Sequence, residues 1–516
     1  MKNIKNYIST FALAVGLSFS SCVNDLDVTP IDPNMNTSDK ALTTAEDFKA
    51  FLAQCYVGFS TSGYLGPNGD PSISGLDGGF SQYFRGLFHL NEYTTDETVI
   101  GWNDQTIKDL HGLSWTSTDV FVASLYYRIF YQISMCNEFL RQANTTSVSV
   151  PDMEAYKAEV RTLRAICYLH AIDMYGNVPF ADETASVGAE NPERITRAEL
   201  FTWLETELKD IIDNSALANA RQNEYGRIDK GAAKMILAKL YLNAEVYTGA
   251  SKWDECAKVC KSIIADGYTL HPDYQELFLA DNDKCTDEII FAFQQDGVDT
   301  QSYGVTNFII FASTGGTMDP AAIGISSGWG GIRTTPEFYD SFQAGDKRSL
   351  FHTDGQNKEI NDISVFTDGY AFMKFKNINS DGTPGKANGF VDTDFPIFRY
   401  ADVLLMLAEC GLHNSSEVSE EQGLAYLNQV RERAGLAAQK SYTANDVLRE
   451  RGCELYLECW RRSDLVRFDK FTTADYLWSW KGGVQEGKAV GSHMNLFPIP
   501  DKDLNSNDKL EQNPGY

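Results

Sequence analysis

The segment GAAKMILAKLYLNAE (residues 231–245) decides the fold class of this chain. Its apolar side chains recur at the i, i+3, i+4 and i+7 spacing of one helix face, namely Ala233, Ile236, Leu237, Leu240, Tyr241 and Ala244. The alanines on that face let a second helix approach closely. This pattern predicts antiparallel helix pairs that stack as in tetratricopeptide-like arrays, although the sequence has no strict 34-residue period.

Helical periodicity extends through both ends of the chain. RTLRAICYLHAIDMYGNVPF (161–180) predicts a helix stopped by Gly176 and Pro179, because both residue types interrupt helices. Further helices are expected at 44–59, 119–142, 196–213, 252–265, 400–412, 421–434 and 444–458. Short turns join several of these segments, so neighbouring helices are expected to pack against each other.

Two regions lack this periodicity. Residues 60–118 and 267–395 are rich in Gly, Asp, Asn, Ser and aromatic residues, and their strand-like runs, such as EIIFAF (288–293) and YAFMKFK (370–376), are short. Long irregular segments within a compact protein usually carry function. We therefore predict a mostly α fold, a helical-repeat scaffold with loop-rich insertions that carry short strands and the functional surface.

Composition and motifs exclude several classes of function. The chain has 516 residues, 43% of them hydrophobic, which suits a folded protein. A formal charge of -27 argues against a protein that grips nucleic acid or an anionic membrane electrostatically. The sequence has no GxxxxGK[ST], no GxGxxG between a strand and a helix, no HExxH and no GxSxG. A two-carboxylate glycosidase site stays open, because any pair among the 71 acidic residues could form it.

The N-terminus has the features of a lipoprotein signal. Lys2 and Lys5 precede a short apolar run at 8–19, which is too short to span a membrane, and small residues lead directly to Cys22. We therefore expect a signal peptide at 1–21, lipidation of Cys22, a polar tether at 22–40 and one folded domain at 41–516. An ordinary signal peptide with a chance cysteine is the alternative.

The remaining cysteines and one acidic loop raise the question of metal binding. Cys256 and Cys260 lie four residues apart on a predicted helix, but no CxxC or Cys/His cluster accompanies them, so buried free thiols are expected. The loop DNDKCTDE (281–288) carries Asp281, Asp283 and Asp287 but lacks the sixth-position glycine of an EF-hand. We interpret it as a solvated acidic turn, with calcium binding as the alternative, and expect no cofactor.

Two tryptophans stand outside the helical patterns. Trp102 lies in GWND (101–104) and Trp329 in SGWGG (327–331), among glycines and polar residues. Sugars stack their C–H faces on aromatic rings and need polar partners for their hydroxyls, so a loop tryptophan with such neighbours suits glycan binding. From these residues alone, a tryptophan that packs under its own loop is an equal alternative.

Several segments, in order along the chain, resemble the SusD/RagB family of outer-membrane nutrient-binding lipoproteins. They are YYRIFYQISMCNEFL (126–140), RTLRAICYLHAIDMYGNVPF (161–180), GRIDKGAAKMILAKLYLNA (226–244), FRYADVLLMLAEC (398–410), LNQVRERAGL (427–436), RERGCELYLECWRRSDLVRF (449–468), NLFPIP (495–500) and QNPGY (512–516). Each motif is modest alone, but their order behind a lipoprotein cysteine is specific, and together they span essentially the whole mature chain.

The resemblance implies both a fold and a role. Members of the family carry about four tetratricopeptide-like helix pairs with loop-rich insertions. They are lipid-anchored in the outer membrane and face the cell exterior, where they capture oligo- or polysaccharides and pass them to a TonB-dependent SusC-like transporter. They are not enzymes. A helical-repeat adaptor without a ligand, or a surface glycoside hydrolase, remains as an alternative because fold does not determine function.

The resemblance also implies site residues. FRGLFHLNEYTTDETVIGWNDQ (84–105) resembles the starch-binding branch, in which an arginine and a tryptophan at this separation contact the oligosaccharide; these correspond to Arg85 and Trp102. Gln105 stands where that branch has an asparagine, which places the preferred sugar in doubt, and Asn103 is a further polar candidate. Trp329 in WGGIRTTPEF (329–338) and, by looser alignment, Tyr303 in QSYGV (301–305) correspond to further rings of an aromatic arc. Such an arc would suit a curved neutral glycan, for example an α-glucan.

Overall fold

The computed structural model describes residues 41–185, 188 and 190–516. The predicted signal peptide, Cys22 and the tether lie outside the described residues. Residues 49–146 and 151–516 form one compact unit, and the described residues 41–48 and 147–150 belong to a second unit. Among the described helices, none is both long enough and apolar enough to cross a bilayer.

Helices dominate the described chain, as the periodicity predicts. They are α1 (Ala45–Val57), α2 (Tyr83–Glu92), α3 (Gln105–His111), α4 (Val120–Thr145), α5 (Met153–Met174), α6 (Arg197–Asn214), α7 (Lys230–Leu242), α8 (Ala244–Thr248), α9 (Trp253–Ala265), α10 (Val305–Ser313), α11 (Pro336–Tyr339), α12 (Tyr400–Leu412), α13 (Glu420–Arg433), α14 (Ala444–Leu455), α15 (Arg461–Arg467) and α16 (Asp501–Ser506). The helix within 161–180 begins earlier than expected, at Met153. It ends just before Gly176, whose φ of 73° suits glycine.

The long helices pack in sequence order. Helix α4 lies against α5, α5 against α6, α6 against α7, and α7 against α9; α9 then packs on α12, which contacts both α13 and α14. The alanine-rich face of α7 is fully buried between its neighbours. This succession of stacked helices confirms the predicted mostly α scaffold of helix pairs.

Short strands occur in the two predicted insertions and between helices. They are β1 (Thr98–Ile100), β2 (Val178–Pro179), β3 (Arg194–Ile195), β4 (Ile289–Phe293), β5 (Ile332–Thr334), β6 (Phe351–His352), β7 (Ala371–Phe372) and β8 (Phe395–Arg399). One sheet has the order β1-β5-β7-β6, and β2 pairs with β3 and β4 with β8. All of these pairs are antiparallel.

The two expected strands differ in outcome. EIIFAF forms β4, but YAFMKFK contributes only the two residues of β7. Beyond β7, the amide of Met373 bonds to the carbonyl of Leu350 and that of Lys376 to the carbonyl of Phe278, which ends a short 3-10 helix, so the ladder of β7 ends early. The cysteines follow expectation, because all nine within the described part of the chain are buried free thiols.

Candidate functional site

Four half-buried aromatic rings follow one another across the insertions: Trp102, Trp329, Tyr303 and Phe390. Successive ring centroids lie 6.5, 6.0 and 5.4 Å apart, and successive ring planes are inclined by 48°, 66° and 37°. We call these four residues the aromatic strip. Because no neighbouring planes are parallel, the strip is not a flat platform.

Strand pairing brings the two tryptophans together although they lie 227 positions apart in the sequence. Trp102 lies two residues after β1 and Trp329 three residues before β5, and these strands pair with Ile100 opposite Ile332. The intervening Gly331 is required by close packing, since a Cβ there would lie 2.8 Å from Cε2 of Trp102. The pairing register and this glycine thus set the separation of the two indole rings.

Helix α10 supports the strip from its buried side. Phe308 contacts both Trp102 and Trp329, with centroids 6.2 and 6.3 Å away, and Phe311 lies 5.1 Å from Trp329. The amide of Trp329 donates to the carbonyl of Phe311 at 2.8 Å, which joins the tryptophan's backbone to the end of this helix. The ring of Trp329 therefore rests on a buried helix, although its own segment is irregular.

The start of α10 is strained next to Tyr303. Val305 has a φ of 43°, an unfavourable conformation for a β-branched residue. The hydroxyl of Ser302 donates to the carbonyl of Ser60 at 2.6 Å and accepts from the amide of Gly304 at 3.0 Å. These bonds hold the turn that carries Tyr303 and offset the strain at Val305.

The structure places Arg85 on the buried side of the strip. Its guanidinium stacks on Phe308 at 4.2 Å, and its Nη1 donates to the carbonyls of Gly79 and Tyr303 at 2.7 and 3.1 Å. Only 9% of the residue is exposed. Burial lowers the pKa of Arg85 to about 10, so the side chain remains charged at neutral pH. Arg85 thus supports Phe308 and the Tyr303 turn directly, a role that the sequence did not predict.

The predicted polar residues lie beside Trp102 and are exposed. Asn103 Oδ1 accepts from Lys108 Nζ at 2.6 Å, and Gln105 Nε2 donates to Asp109 Oδ1 at 2.8 Å. Both side chains therefore stand at the Trp102 end of the strip, on the turn that opens α3. They form a polar margin at this end of the aromatic strip.

Phe390 is the ring that the sequence analysis missed. It lies in the loop KANGF (386–390) between β7 and β8, and no recognised motif includes it. The available signal was an aromatic residue beside a glycine in a polar loop, the same signal that marked Trp102 and Trp329. A short loop of this kind has no defined partner until the tertiary structure places Tyr303 next to it.

The acidic loop at 281–288 has its carboxylates engaged separately. Asp281 accepts from the amide and hydroxyl of Ser380 at 2.8 and 2.7 Å and pairs with Lys284, whereas Asp287 lies 2.9 Å from Nδ1 of His271. Asp283 is exposed. Within the described ranges, no group of three or more His, Cys, Asp or Glu residues is arranged to hold a metal ion. Turn formation and ion pairing account for Asp281 and Asp287.

The segment before β1 is anchored by three buried carboxylates. Glu92 accepts from the amide of Cys459 at 2.7 Å and Glu97 from that of Leu457 at 2.9 Å, and Asp96 binds Arg461 with both oxygens. Burial raises the pKa of Glu92 and of Glu97, and the proximity of the two carboxyls raises that of Glu97 further. This anchor fixes the start of β1 and hence the approach to Trp102.

The raised pKa values of Glu92 and Glu97 predict that the contribution of this pair to stability falls as the pH rises from 4.5. Above that pH the unfolded chain releases protons that the folded pair retains, so each retained proton costs about 1.4 kcal/mol of unfolding free energy per pH unit. The stabilising contribution of the pair is complete below pH 4.5, the ordinary pKa of a glutamate side chain. It is lost as the pH rises through the raised pKa values of Glu92 and Glu97. Chemical denaturation between pH 4.5 and 8 should show that the stability of Glu92→Gln rises relative to that of wild type as the pH increases.

Glu421→Gln is the control for this experiment, because Glu421 is exposed. Its pH dependence should match that of wild type. Equal pH dependences for Glu92→Gln and wild type would contradict the raised pKa values of the buried pair.

Comparison with known proteins identifies the relatives of this chain. The model of the SusD family matches residues 362–516. The starch-binding protein SusD of Bacteroides thetaiotaomicron is 33% identical, in an alignment that covers 100% of this chain and 99% of SusD. A SusD-like protein of Bacteroides ovatus is 26% identical over 69% of this chain and 67% of its own length.

Solved structures share the fold. Surface glycan-binding protein A from Bacteroides uniformis superposes with a TM-score of 0.72 at 22% identity, covering 91% of this chain and 99% of that one. The Bacteroides thetaiotaomicron surface glycan-binding protein A, solved in complex with laminarihexaose, gives a TM-score of 0.70 at 19% identity and covers 91% and 100% of the two chains. With 33% identity to SusD over its whole length, this chain belongs to the SusD family.

Proposed function

We propose that this protein is a non-catalytic glycan-binding protein of the cell surface. The observation that carries the proposal is the aromatic strip, in which half-buried rings from separate loops lie one after another. Stacking of sugar C–H faces on such rings needs no reactive group. The names of the relatives agree, since one binds starch and a solved neighbour holds laminarihexaose.

The geometry of the strip supports a curved neutral glycan, and we propose an α-glucan. Inclinations of 37–66° between successive rings would leave a straight, flat chain in contact with one ring at a time. A glycan that bends along its length could stack on several rings at once. The chain's charge of -27 further disfavours polyanionic glycans.

We propose polar contacts to the sugar on both sides of the aromatic strip, at its exposed Trp102 end and at Arg85 on its buried side. Asn103 and Gln105 lie at the exposed Trp102 end, where their amides can exchange local bonds for bonds to sugar hydroxyls. Arg85 has hydrogen bonds from Nε and Nη1, but its Nη2 makes none with the described residues. We propose that Nη2 donates to a hydroxyl of the bound sugar, as the family resemblance implies.

Affinity electrophoresis against a panel of polysaccharides tests the proposed function. We expect gels with starch, pullulan or laminarin to retard the protein, because these neutral glucans can bend, and gels with hydroxyethyl cellulose or polygalacturonate to have little effect. The same protein should release no reducing sugar from any of them. Absence of retardation in every gel would contradict glycan binding, and release of reducing sugar would favour a hydrolase.

We further propose that lipid on Cys22 anchors the protein in the outer membrane, facing outward, where it delivers glycan to a TonB-dependent SusC-like transporter. The apolar run at 8–19 followed by Cys22 supports the anchor, and membership of the SusD family supports the partner. No second lipid signal is needed for lasting attachment if Cys22 carries a diacylglycerol and an acyl chain, since two or more chains anchor stably.

Cys22→Ala should move the protein from the membrane fraction to the soluble fraction of the cell. Without the thiol no lipid can be attached, and the remaining polar tether has no affinity for a bilayer. Immunoblots of fractionated cells measure the shift, with Cys285→Ala, a buried cysteine of the folded domain, as the control that should stay in the membrane. Retention of Cys22→Ala in the membrane fraction would contradict lipid anchoring.

A further inference from the structure

We propose that Phe390 forms an additional sugar subsite that sets the length of glycan the protein prefers. This inference rests on the proposed glycan-binding function and deepens it. The sequence and the family resemblance provide three rings, Trp102, Trp329 and Tyr303, and the structure adds a fourth beyond Tyr303. Phe390 lies 5.4 Å from Tyr303, a step close to the 6.0 and 6.5 Å between the preceding rings.

Hydrogen bonds and close packing hold the loop that carries Phe390 in place. Asp392, which is 8% exposed, accepts hydrogen bonds from the amides of Gly297 and Lys386 at 2.8 and 2.5 Å. Gly297 packs so closely that a Cβ there would lie 2.6 Å from the carbonyl oxygen of Phe390. Lys386 and Asp296 also form an ion pair across the two segments. The ring therefore needs little ordering when a ligand binds, which limits the entropic cost of using it.

Phe390 makes few aromatic contacts within the protein. Within the described chain Tyr303 is the only aromatic side chain in ring contact with Phe390, whereas Phe308 on the buried side contacts four other rings. Phe390 is also half exposed, next to the exposed Asn388 and Gly389. A half-exposed phenylalanine on an anchored loop, next to the last of three other half-buried rings, fits a fourth stacking position.

Stacking on Phe390 would increase the affinity for longer glycans without discriminating between kinds of sugar. Phenylalanine offers an apolar face without a hydroxyl or an N–H, so it contacts the C–H face of a pyranose and reads no hydroxyl pattern. Trp102, in contrast, has the amides of Asn103 and Gln105 beside it. We therefore assign discrimination between sugars to the Trp102 end and a gain in affinity for longer chains to the Phe390 end.

Isothermal titration calorimetry with two oligosaccharide series tests the inference. Malto-oligosaccharides and laminari-oligosaccharides of increasing length serve as probes, and the series that wild type binds is used for the variants. Phe390→Ala should match wild type for the shortest ligand that binds. For ligands long enough to reach all four rings, it should bind about three- to tenfold more weakly. Phe390→Trp should retain the gain with length, because it restores a flat ring.

The controls separate this inference from the proposed function. Phe468→Ala, which removes a half-buried phenylalanine after helix α15, should bind like wild type at every length. Equal affinities for Phe390→Ala and wild type with long ligands would overturn the subsite, as would an equal loss at all lengths, which would indicate distortion of Tyr303. Either result leaves glycan binding itself intact, whereas failure of wild type to bind both series would overturn the proposed function and this inference together.

Discussion

Replacement of Trp329 by alanine is expected to weaken glycan binding about ten- to a hundredfold, the largest functional effect of any single ring. Trp329 is an interior ring of the strip, in ring contact with both Trp102 and Tyr303. Its loss would remove one stacking contact and interrupt the surface, so that no short ligand can bridge the remaining rings. Trp102→Ala removes an end ring and should cost less, about three- to tenfold.

Trp253→Ala is the matched control for these variants. Trp253 is also half buried, but it begins helix α9 and stacks on His413 at 4.0 Å, in the helical scaffold rather than the insertions. Calorimetry or affinity electrophoresis should find its binding unchanged, and circular dichroism should show that all three variants are folded. If Trp102→Ala and Trp329→Ala bind as wild type does, the aromatic strip is not the binding site.

The scaffold could be predicted because its information is local. In 231–245 the identity of each buried residue follows from its position on a single helix face, and the observed helix α7 occupies Lys230–Leu242. The same holds for α6, α9, α12 and α13, whose bounds lie within one residue of expectation. Helix–helix stacking then follows from short connections and small residues, without any knowledge of distant contacts.

The site could be predicted only in part, because its arrangement depends on distant contacts. Trp102 and Trp329 were identifiable as tryptophans outside helical patterns, but their proximity comes from β1 and β5, strands of three residues each that carry almost no periodic signal. Phe390 had no signal beyond its polar loop. Arg85 was expected at the ligand surface, and the structure also assigns it to the support of Phe308, which no local pattern reveals.

Buried charge was the other feature that local patterns could not predict. NEYTTDE (91–97) is expected from its sequence to be a structural loop that holds Trp102 in place, but its polar composition does not predict that Glu92, Asp96 and Glu97 are each at most 1% exposed. Their partners lie some 360 residues later in the chain, at 457–461. Because an unpaired buried charge is costly, these residues can be buried only where the fold supplies a partner.

Asp96→Asn should therefore destabilise the folded protein by about 3–5 kcal/mol, the largest expected effect on stability. Asp96 and Arg461 are both buried, with oxygen–nitrogen distances of 2.8 and 2.6 Å, and Tyr476 also donates to Asp96 at 2.6 Å. Asparagine has nearly the same shape but no charge, so the Arg461 guanidinium would remain buried without compensation. Urea denaturation at fixed pH measures the change, and Asp340→Asn, at an exposed pair with Lys358, should change stability by less than about 1 kcal/mol.

A double variant distinguishes this mechanism from a general loss of packing. Asp96→Asn combined with Arg461→Met removes both charges, so it should be less destabilised than the sum of the two single variants. Additive losses, or a loss below about 1 kcal/mol for Asp96→Asn alone, would contradict the importance of this pair. Because the Asp96 carbonyl also accepts from the hydroxyl of Thr335, which follows β5, a disturbed Asp96 should loosen the β1–β5 pairing. Glycan affinity of Asp96→Asn should then fall too, although Asp96 touches none of the four rings.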